Sequence, residues 1–348
     1  MEHREIFSVE AGKCVYRYYE ESELILGHVR VQTEYAAAKH GTEFTSFLKL
    51  DPFIESYYDD RVGCFIPRKQ ASDGFGFAPG NMWVGRVTEV ASDVEEELIG
   101  RRVAGYGPLR PTHLYSQSDL LFLPDGMTWK QAVCYDPIQF ALGGVRDGHV
   151  RLGDCVAVFG LGAIGLLAAQ LAKLAGAQSV IAVDPIACRR EAALENGADY
   201  VLDSSACDVG LEIRRLTENR GVDVVIECSG AYPALQAAIR SVAYGGNVSV
   251  VGWYKECHGA LNLGREGHFN QPNIIMSRAC NPVNRDYPRW NFERICKTGW
   301  DMLTKGLLRC ENIVNPVVPF EKAAETYEAI ARAPQASVKL GVSFTKEK

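Results

Sequence analysis

No stretch of these 348 residues approaches the roughly 20 apolar residues that a membrane-spanning helix requires. The longest apolar run, AIGLLAAQLAKLAGA, is broken by Gln170 and Lys173. The first residues, MEHREIFSVEAGKCVYRYYE, hold no apolar core of signal-peptide length. A cytosolic protein with no membrane partner is the expectation. Positive charge is scarce too: 37 Lys and Arg stand against 43 Asp and Glu, a net charge of -6. Nucleic acid calls for a basic surface, so it is not an expected partner. Paired cysteine spacing is missing. The eleven cysteines are scattered and no two lie three apart, unlike a cysteine-rich zinc lobe or a disulfide framework. They read as reduced thiols. Internal repeats and low-complexity tracts are absent as well. What is left has the composition of an ordinary globular enzyme, at a length that points to two domains.

The first 125 residues or so are rich in short β-like runs. LGHVRVQTEYAAA alternates polar and apolar residues, while MWVGRVTEVAS and RRVAGYG are Val-rich and bounded by glycine. The texture then changes. Pro124, Asp125 and Gly126 make a turn, and Thr128 with Gln131 has capping-box spacing for a helix start. After RLGD, strand-like and helix-like segments alternate: CVAVFG, AIGLLAAQLAKLA, SVIAVD, CRREAALENG, YVLD, DVGLEIRRLTENRG, VDVVIECSG, YPALQAAIRSVAYGG and NVSVVGW. That alternation predicts a parallel sheet covered on both faces. Two further helices are expected in FERICKTGWDMLTKGLL and FEKAAETYEAIARA, then a last strand, SVKLGVSF.

The segment Gly160-Leu161-Gly162-Ala163-Ile164-Gly165 follows a strand and opens a helix. Asp184 lies 19 residues past Gly165, at the end of the next strand. In this context a GxGxxG is a dinucleotide fingerprint. Gly160 permits the tight turn, Gly162 lets the backbone approach a pyrophosphate, and Gly165 lets the helix pack on the sheet. The N–H groups opening the helix, at Ala163 and Ile164, meet the phosphates. Asp184 accepts from ribose hydroxyls and repels a 2′-phosphate, which favours NAD over NADP; Arg189 and Arg190 soften that preference. Cys228, Ser229 and Gly230 end one later strand, and Val251 and Gly252 end the next. Ligands lie beyond such strand ends, so these residues are expected beside the nicotinamide ribose.

A central dinucleotide segment, with a β-rich half before it and a short return after it, resembles the medium-chain dehydrogenase/reductase superfamily over nearly the whole chain. AAAKHGTE, PGNMWVG, YGPL, VCYDPIQFALGGVRDGHVRLGD, NLGREGHFN and SRACNPVNRDYPRW narrow the resemblance to its D-guloside 3-dehydrogenase branch. The resemblance implies a GroES-like β-rich catalytic domain, here 1–136 and 280–348. It implies a Rossmann doubly wound parallel sheet domain, here 137–279, with the active site in the cleft between the two. It further implies NAD-dependent oxidation of the C3 hydroxyl of a glycoside to a 3-keto sugar, and a homo-oligomer, dimer or tetramer.

Zinc in this superfamily has three protein ligands and an open position for the substrate oxygen. By resemblance, His40 takes the place of a first ligand that is usually Cys. Asn81, in Gly80-Asn81-Met82, replaces the His of a Gly-His-Glu. Asp136, before Pro137, takes the third place. His and Asp are good zinc ligands, whereas an amide oxygen is a poor one. A metal, where bound, would sit on His40 and Asp136 with Asn81 or Glu43; otherwise the acid at Glu43 orients a ligand from behind. Without metal the reaction needs a general base near working pH, and an imidazole suits that. His40, Thr42 and Asp136 are catalytic candidates under both readings, with Thr42 at the place of a hydroxyl relay. The metal-free reading, with His40 as base oriented by Asp136, is slightly preferred.

Glu43, Asn81, His268 and Asn270 are candidate sugar contacts. Asp286, Arg289 and Trp290 of DYPRW read as a stacking platform or a hinge, and His113 as a surface or loop residue. Three other readings stand beside the glycoside dehydrogenase. One is a zinc polyol or amino-alcohol dehydrogenase. Another is a zinc-free quinone or enoyl reductase, which Asp184 speaks against because those enzymes prefer NADPH. The last is an NAD-binding relative without turnover.

Overall fold

Val29 and Val31 alternate with Arg30 and Gln32, and a period of two makes a strand with one inward face. The computed structural model describes residues 3–70, 72, 76–255, 261–281 and 284–345; Cys257 lies outside the described residues. In it His28–Ala37 runs through a seven-stranded sheet in the order Val317–Pro319, Gly341–Ser343, His28–Ala37, Met82–Val90, Arg102–Tyr106, Leu121–Phe122, and Thr112–Ser116 also pairs with His28–Ala37. All these pairs are antiparallel except Val317–Pro319 with Gly341–Ser343. Val29, Val31, Trp83, Phe47, Tyr327, Leu340 and Val342 form part of its core. Tyr327, on the helix Ala323–Arg332, meets Phe44 and Phe47 edge-on at 4.8 and 5.1 Å. Those contacts fix the helix His40–Phe47 against the sheet's own unit.

The second unit is built on the continuous apolar strand Cys155–Phe159, buried on both faces. Six parallel strands run in the order Tyr200–Leu202, Ser179–Val183, Cys155–Phe159, Val222–Glu227, Val242–Val250, Asn273–Met276. This is the doubly wound order 3-2-1-4-5-6. The order reverses between Cys155–Phe159 and Val222–Glu227, where Phe159 pairs with Glu227. Ligands of such sheets bind beyond the strand ends at this switch point.

The expected capping box is present: Thr128 Oγ1 accepts the Gln131 N–H at 3.2 Å, and Gln131 Oε1 accepts the Thr128 N–H at 2.8 Å. The helix expected through Gly246 stops at Ser241. Val242 is buried and pairs with Val222, so the strand starts there. The return of the chain also differs from the expected boundary at residue 280. The first unit comprises Met1–Val133, Val314–Pro334 and Lys339–Lys348, and the second Cys134–Ile313 with Gln335–Val338. The reason is the helix Phe292–Thr304, which buries Ile295, Gly299 and Leu303 along one stripe. A Cβ on Gly299 would lie 2.8 Å from Ile138, so this helix sits tightly on Tyr135–Asp147. No described helix is long and apolar enough to cross a membrane.

Candidate active site

The Gly-rich turn joins Cys155–Phe159 to the helix Ala163–Leu174. Gly160 has φ +82°, and a Cβ there would lie 2.6 Å from the Ser229 nitrogen. A Cβ on Gly165 would lie 1.9 Å from the Gly160 carbonyl oxygen, so the helix packs on the turn only because that residue is glycine. Gly162 differs. It is the helix N-cap, and a Cβ built on it meets nothing within 4 Å. Protein packing explains the first and last glycines and leaves the middle one unexplained.

Asp184 is 3% exposed and braces this turn. Its Oδ2 accepts the Leu161 N–H at 2.7 Å and its Oδ1 the Ile186 N–H at 2.8 Å. A carboxylate has about four lone-pair sites, so acceptor capacity is left for ribose hydroxyls. Arg189 Nη1 stands 3.8 Å from Oδ2, and Arg190 donates to the Asp184 carbonyl at 2.7 Å.

At the neighbouring strand ends lies a residue that the sequence reading passed over. Glu227 is the last residue of Val222–Glu227 and has no exposed surface. Burial pushes its carboxyl above the ordinary value, while hydrogen bonds from Ser229, Tyr254 and Gly230 pull it back. The signal was an ionisable residue closing an otherwise apolar strand end. Burial and the Glu227 charge push the Cys228 thiol well above its ordinary value. The Val251 and Gly252 N–H groups donate to the Glu227 carbonyl at 2.8 and 2.9 Å.

In the first unit His40 opens the helix His40–Phe47, and its ring stacks on Phe44 at 4.7 Å. Its Nε2 accepts the Leu340 N–H at 2.9 Å. A neutral imidazole so engaged carries its proton on Nδ1. For His40 to act as a base or a ligand through Nε2, the Leu340 bond must be given up. Lys339, next to Leu340, donates to the Ala38 carbonyl at 2.7 Å. Thr42 is exposed on the same helical turn. Asn81 is buried; its N–H donates to Ala37 O and its carbonyl accepts from Gly107 N, both at 3.0 Å.

Glu43 accepts the Gly80 N–H at 2.7 Å, the Lys39 N–H at 3.0 Å and the Tyr327 hydroxyl at 3.3 Å. It ties the helix to the Gly80–Asn81 segment. Burial pushes its carboxyl from 4.5 up to about 7, against the pull of those donors. The folded protein holds that proton more tightly than the unfolded chain. Its stabilising effect is complete below about pH 4.5 and is lost as pH rises through about 7. The stability of wild type minus that of Glu43→Gln is therefore expected to fall across this window. Thermal melts of both proteins at a series of pH values read it, and a flat difference would contradict the assignment.

The remaining candidates stand on other elements. Asp136 is buried on the first turn of Tyr135–Asp147, in the second unit. His268 is exposed and Asn270 half-buried, on a short turn following Leu263–Gly267. Trp290 is not offered as a stacking platform, because the guanidinium groups of Arg146 and Arg294 lie over its ring at 3.6 and 4.2 Å. Arg146 also pairs with Asp286. His113 is a correction to the sequence reading: it is buried and stacks on Trp83 at 4.7 Å, and burial holds its imidazole well below the usual value.

Within the first unit, His40 and Asn81 fit poorly the three-ligand zinc site that the resemblance implies. Among the described residues no group of three or more His, Cys, Asp or Glu side chains is placed to hold a metal ion. The acceptor nitrogen of His40 is committed to Leu340, and the second place holds an amide.

Residues 163–293 match the family described as zinc-binding dehydrogenase. The chain is 46% identical over 334 residues to a D-guloside 3-dehydrogenase of Escherichia coli (strain K12), covering 94% of this chain and 95% of that one. It is 26% identical over 313 residues to a sorbitol dehydrogenase of Bacillus subtilis (strain 168), covering 81% and 82%. The crystal structure of 2R,3R-butanediol dehydrogenase from Bacillus subtilis shares the fold, with a TM-score of 0.74 at 22% identity over 98% of this chain and 99% of that one.

Proposed function

We propose, for a chain that belongs to the medium-chain dehydrogenase/reductase superfamily and to its zinc-type alcohol dehydrogenase-like branch, that it oxidises the C3 hydroxyl of a D-guloside-like glycoside to the 3-keto sugar, with NAD as hydride acceptor. The observation that carries the nucleotide half is the open space at Gly162 between two glycines that the protein's own packing demands. A ligand lying over that backbone accounts for the middle glycine. Beside it, the N–H groups of Ala163 and Ile164 open a helix toward phosphates. The remaining lone pairs of Asp184 suit two ribose hydroxyls and oppose a 2′-phosphate, which favours NAD. Arg189 only partly offsets that charge at 3.8 Å. Cys228, Ser229, Gly230, Val251 and Gly252 supply the wall beside the nicotinamide ribose.

The substrate half is supported by the Escherichia coli relative named as a D-guloside 3-dehydrogenase, which matches this chain almost end to end. Oxidation of a secondary alcohol removes a proton from oxygen and a hydride from carbon. His40 is the proposed handler of the proton and Thr42 the relay to solvent. Accepting the proton at Nε2 requires release of the Leu340 N–H that this nitrogen now accepts. Asp136 keeps the catalytic role that the resemblance implies. Glu43, Asn81, His268 and Asn270 stay candidate sugar contacts, and a homo-oligomer belongs to the same reading.

The test is a substrate panel with NAD. Reduction of NAD by a methyl D-guloside, and none by sorbitol or threonine, is the expected result. Faster oxidation of sorbitol or threonine would move the chain to the polyol or amino-alcohol branch. Nucleotide binding without any alcohol-dependent reduction would make it a non-catalytic relative.

A further inference from the structure

The ends of the strands Val222–Glu227 and Val242–Val250 are joined by a carboxylate as well as by the ladder between them. Glu227 Oε1 accepts the Ser229 N–H at 2.7 Å and the Ser229 hydroxyl. Its Oε2 accepts the Gly230 N–H at 3.2 Å and the Tyr254 hydroxyl. Ser229 and Gly230 follow the first strand, whereas Tyr254 follows the second, 27 residues along the chain from Glu227. Tyr254 is itself held edge-on by Tyr232 at 5.0 Å. The packing around this carboxylate has no slack. A Cβ on Gly252 would lie 2.3 Å from the Gly230 nitrogen and 2.8 Å from Glu227 Oε2. A Cβ on Gly160 would lie 2.6 Å from the Ser229 nitrogen, so the same loop abuts the Gly-rich turn. Gly160, Ser229, Gly230 and Gly252 thus form one continuous wall, with Glu227 behind it.

A fully buried carboxylate is costly unless its lone pairs are satisfied. Here both loops supply the donors, so the cost is offset only while both loops keep their places. We propose that Glu227 is a positioning residue that locks the two strand-end loops together and so shapes the wall against which the nicotinamide half of the dinucleotide lies. The inference rests on the nucleotide reading of this site. Glu227 touches the loops and acts on the nucleotide through them.

The experiment compares wild type with Glu227→Gln and Tyr254→Phe. NADH binding is followed by fluorescence, AMP binding by calorimetry, and folding by thermal melting. AMP carries only the adenosine half, which Asp184 and the Gly-rich turn hold. Glu227→Gln leaves one acceptor oxygen where two served, and it removes the charge that strengthens each bond. It is expected to weaken NADH binding about 10- to 100-fold, with AMP affinity within about twofold of wild type. Tyr254→Phe, which keeps the buried carboxylate and its other donors, is expected to weaken NADH alone by about 3- to 10-fold. It serves as the measurement should the Gln variant fail to fold. Equal weakening of NADH and AMP, or unchanged NADH affinity in folded Tyr254→Phe, overturns the inference while leaving the nucleotide site standing. Wild-type protein that binds neither NADH nor AMP overturns the nucleotide reading, and this inference with it.

Discussion

Gly162→Val is expected to leave a folded protein that has lost dinucleotide binding by at least about 100-fold, about 2.7 kcal/mol. The two effects separate because of where Gly162 stands. Its φ of -69° and ψ of -172° are open to any residue, and a Cβ there meets no protein atom within 4 Å. The fold loses only the difference between Gly and Val at a helix N-cap, about 1 kcal/mol. That corresponds to a melting shift of about 2–4 °C for a unit of this size. A branched side chain at the same place fills the space over the first helical N–H groups, where a pyrophosphate would lie. Gly165→Ala makes the contrast. Its Cβ would lie 1.9 Å from the Gly160 oxygen, so that variant disturbs the turn itself and cannot separate folding from binding. Titration of both variants with NADH, alongside melting curves, reads the difference. Wild-type affinity in Gly162→Val would mean that no ligand crosses this backbone.

His40→Ala is expected to lower turnover about 10²- to 10⁴-fold, the usual range for a lost proton-handling group. Binding of NADH should hardly change, since the role proposed for His40 is to handle the proton and not to hold the nucleotide. The substitution also removes the acceptor of the Leu340 N–H, so a stability loss of about 1–3 kcal/mol accompanies it. Turnover must therefore be measured on protein shown to be folded at the assay temperature. Turnover within a few-fold of wild type would remove His40 from the chemistry and leave it a strut between the helix His40–Phe47 and the C-terminal strand.

Features that depend on near neighbours in the chain were legible. The Gly-rich turn, the spacing to Asp184 and the Thr128–Gln131 capping box are local patterns, and each appears where the letters placed it. The strand–helix alternation made the parallel sheet legible because its strands carry apolar runs, Cys155–Phe159 throughout and residues 180–183 and 224–226 within theirs. What escaped depends on contacts between distant residues. The Leu340 N–H that occupies His40 comes from 300 positions away, and only the pairing of Gly341–Ser343 with His28–Ala37 brings it there. Glu227 was hidden because its meaning lies in Tyr254 and in two loops set side by side by strand order. His113 read as a surface residue because nothing local announces Trp83 stacked on it. The boundary near residue 280 failed for the same reason, since the amphipathic stripe of Phe292–Thr304 does not say which unit it covers.

In the proposed reaction a hydride leaves C3 of a glycoside for a nicotinamide. The most direct measurement incubates the protein with NAD and a methyl D-guloside carrying deuterium at C3, and determines the label in the reduced nucleotide by mass spectrometry. One deuterium per NADH formed is expected, with none when the label sits on any other carbon. Unlabelled NADH, or no NADH from this substrate while sorbitol or threonine reduces NAD, would contradict it.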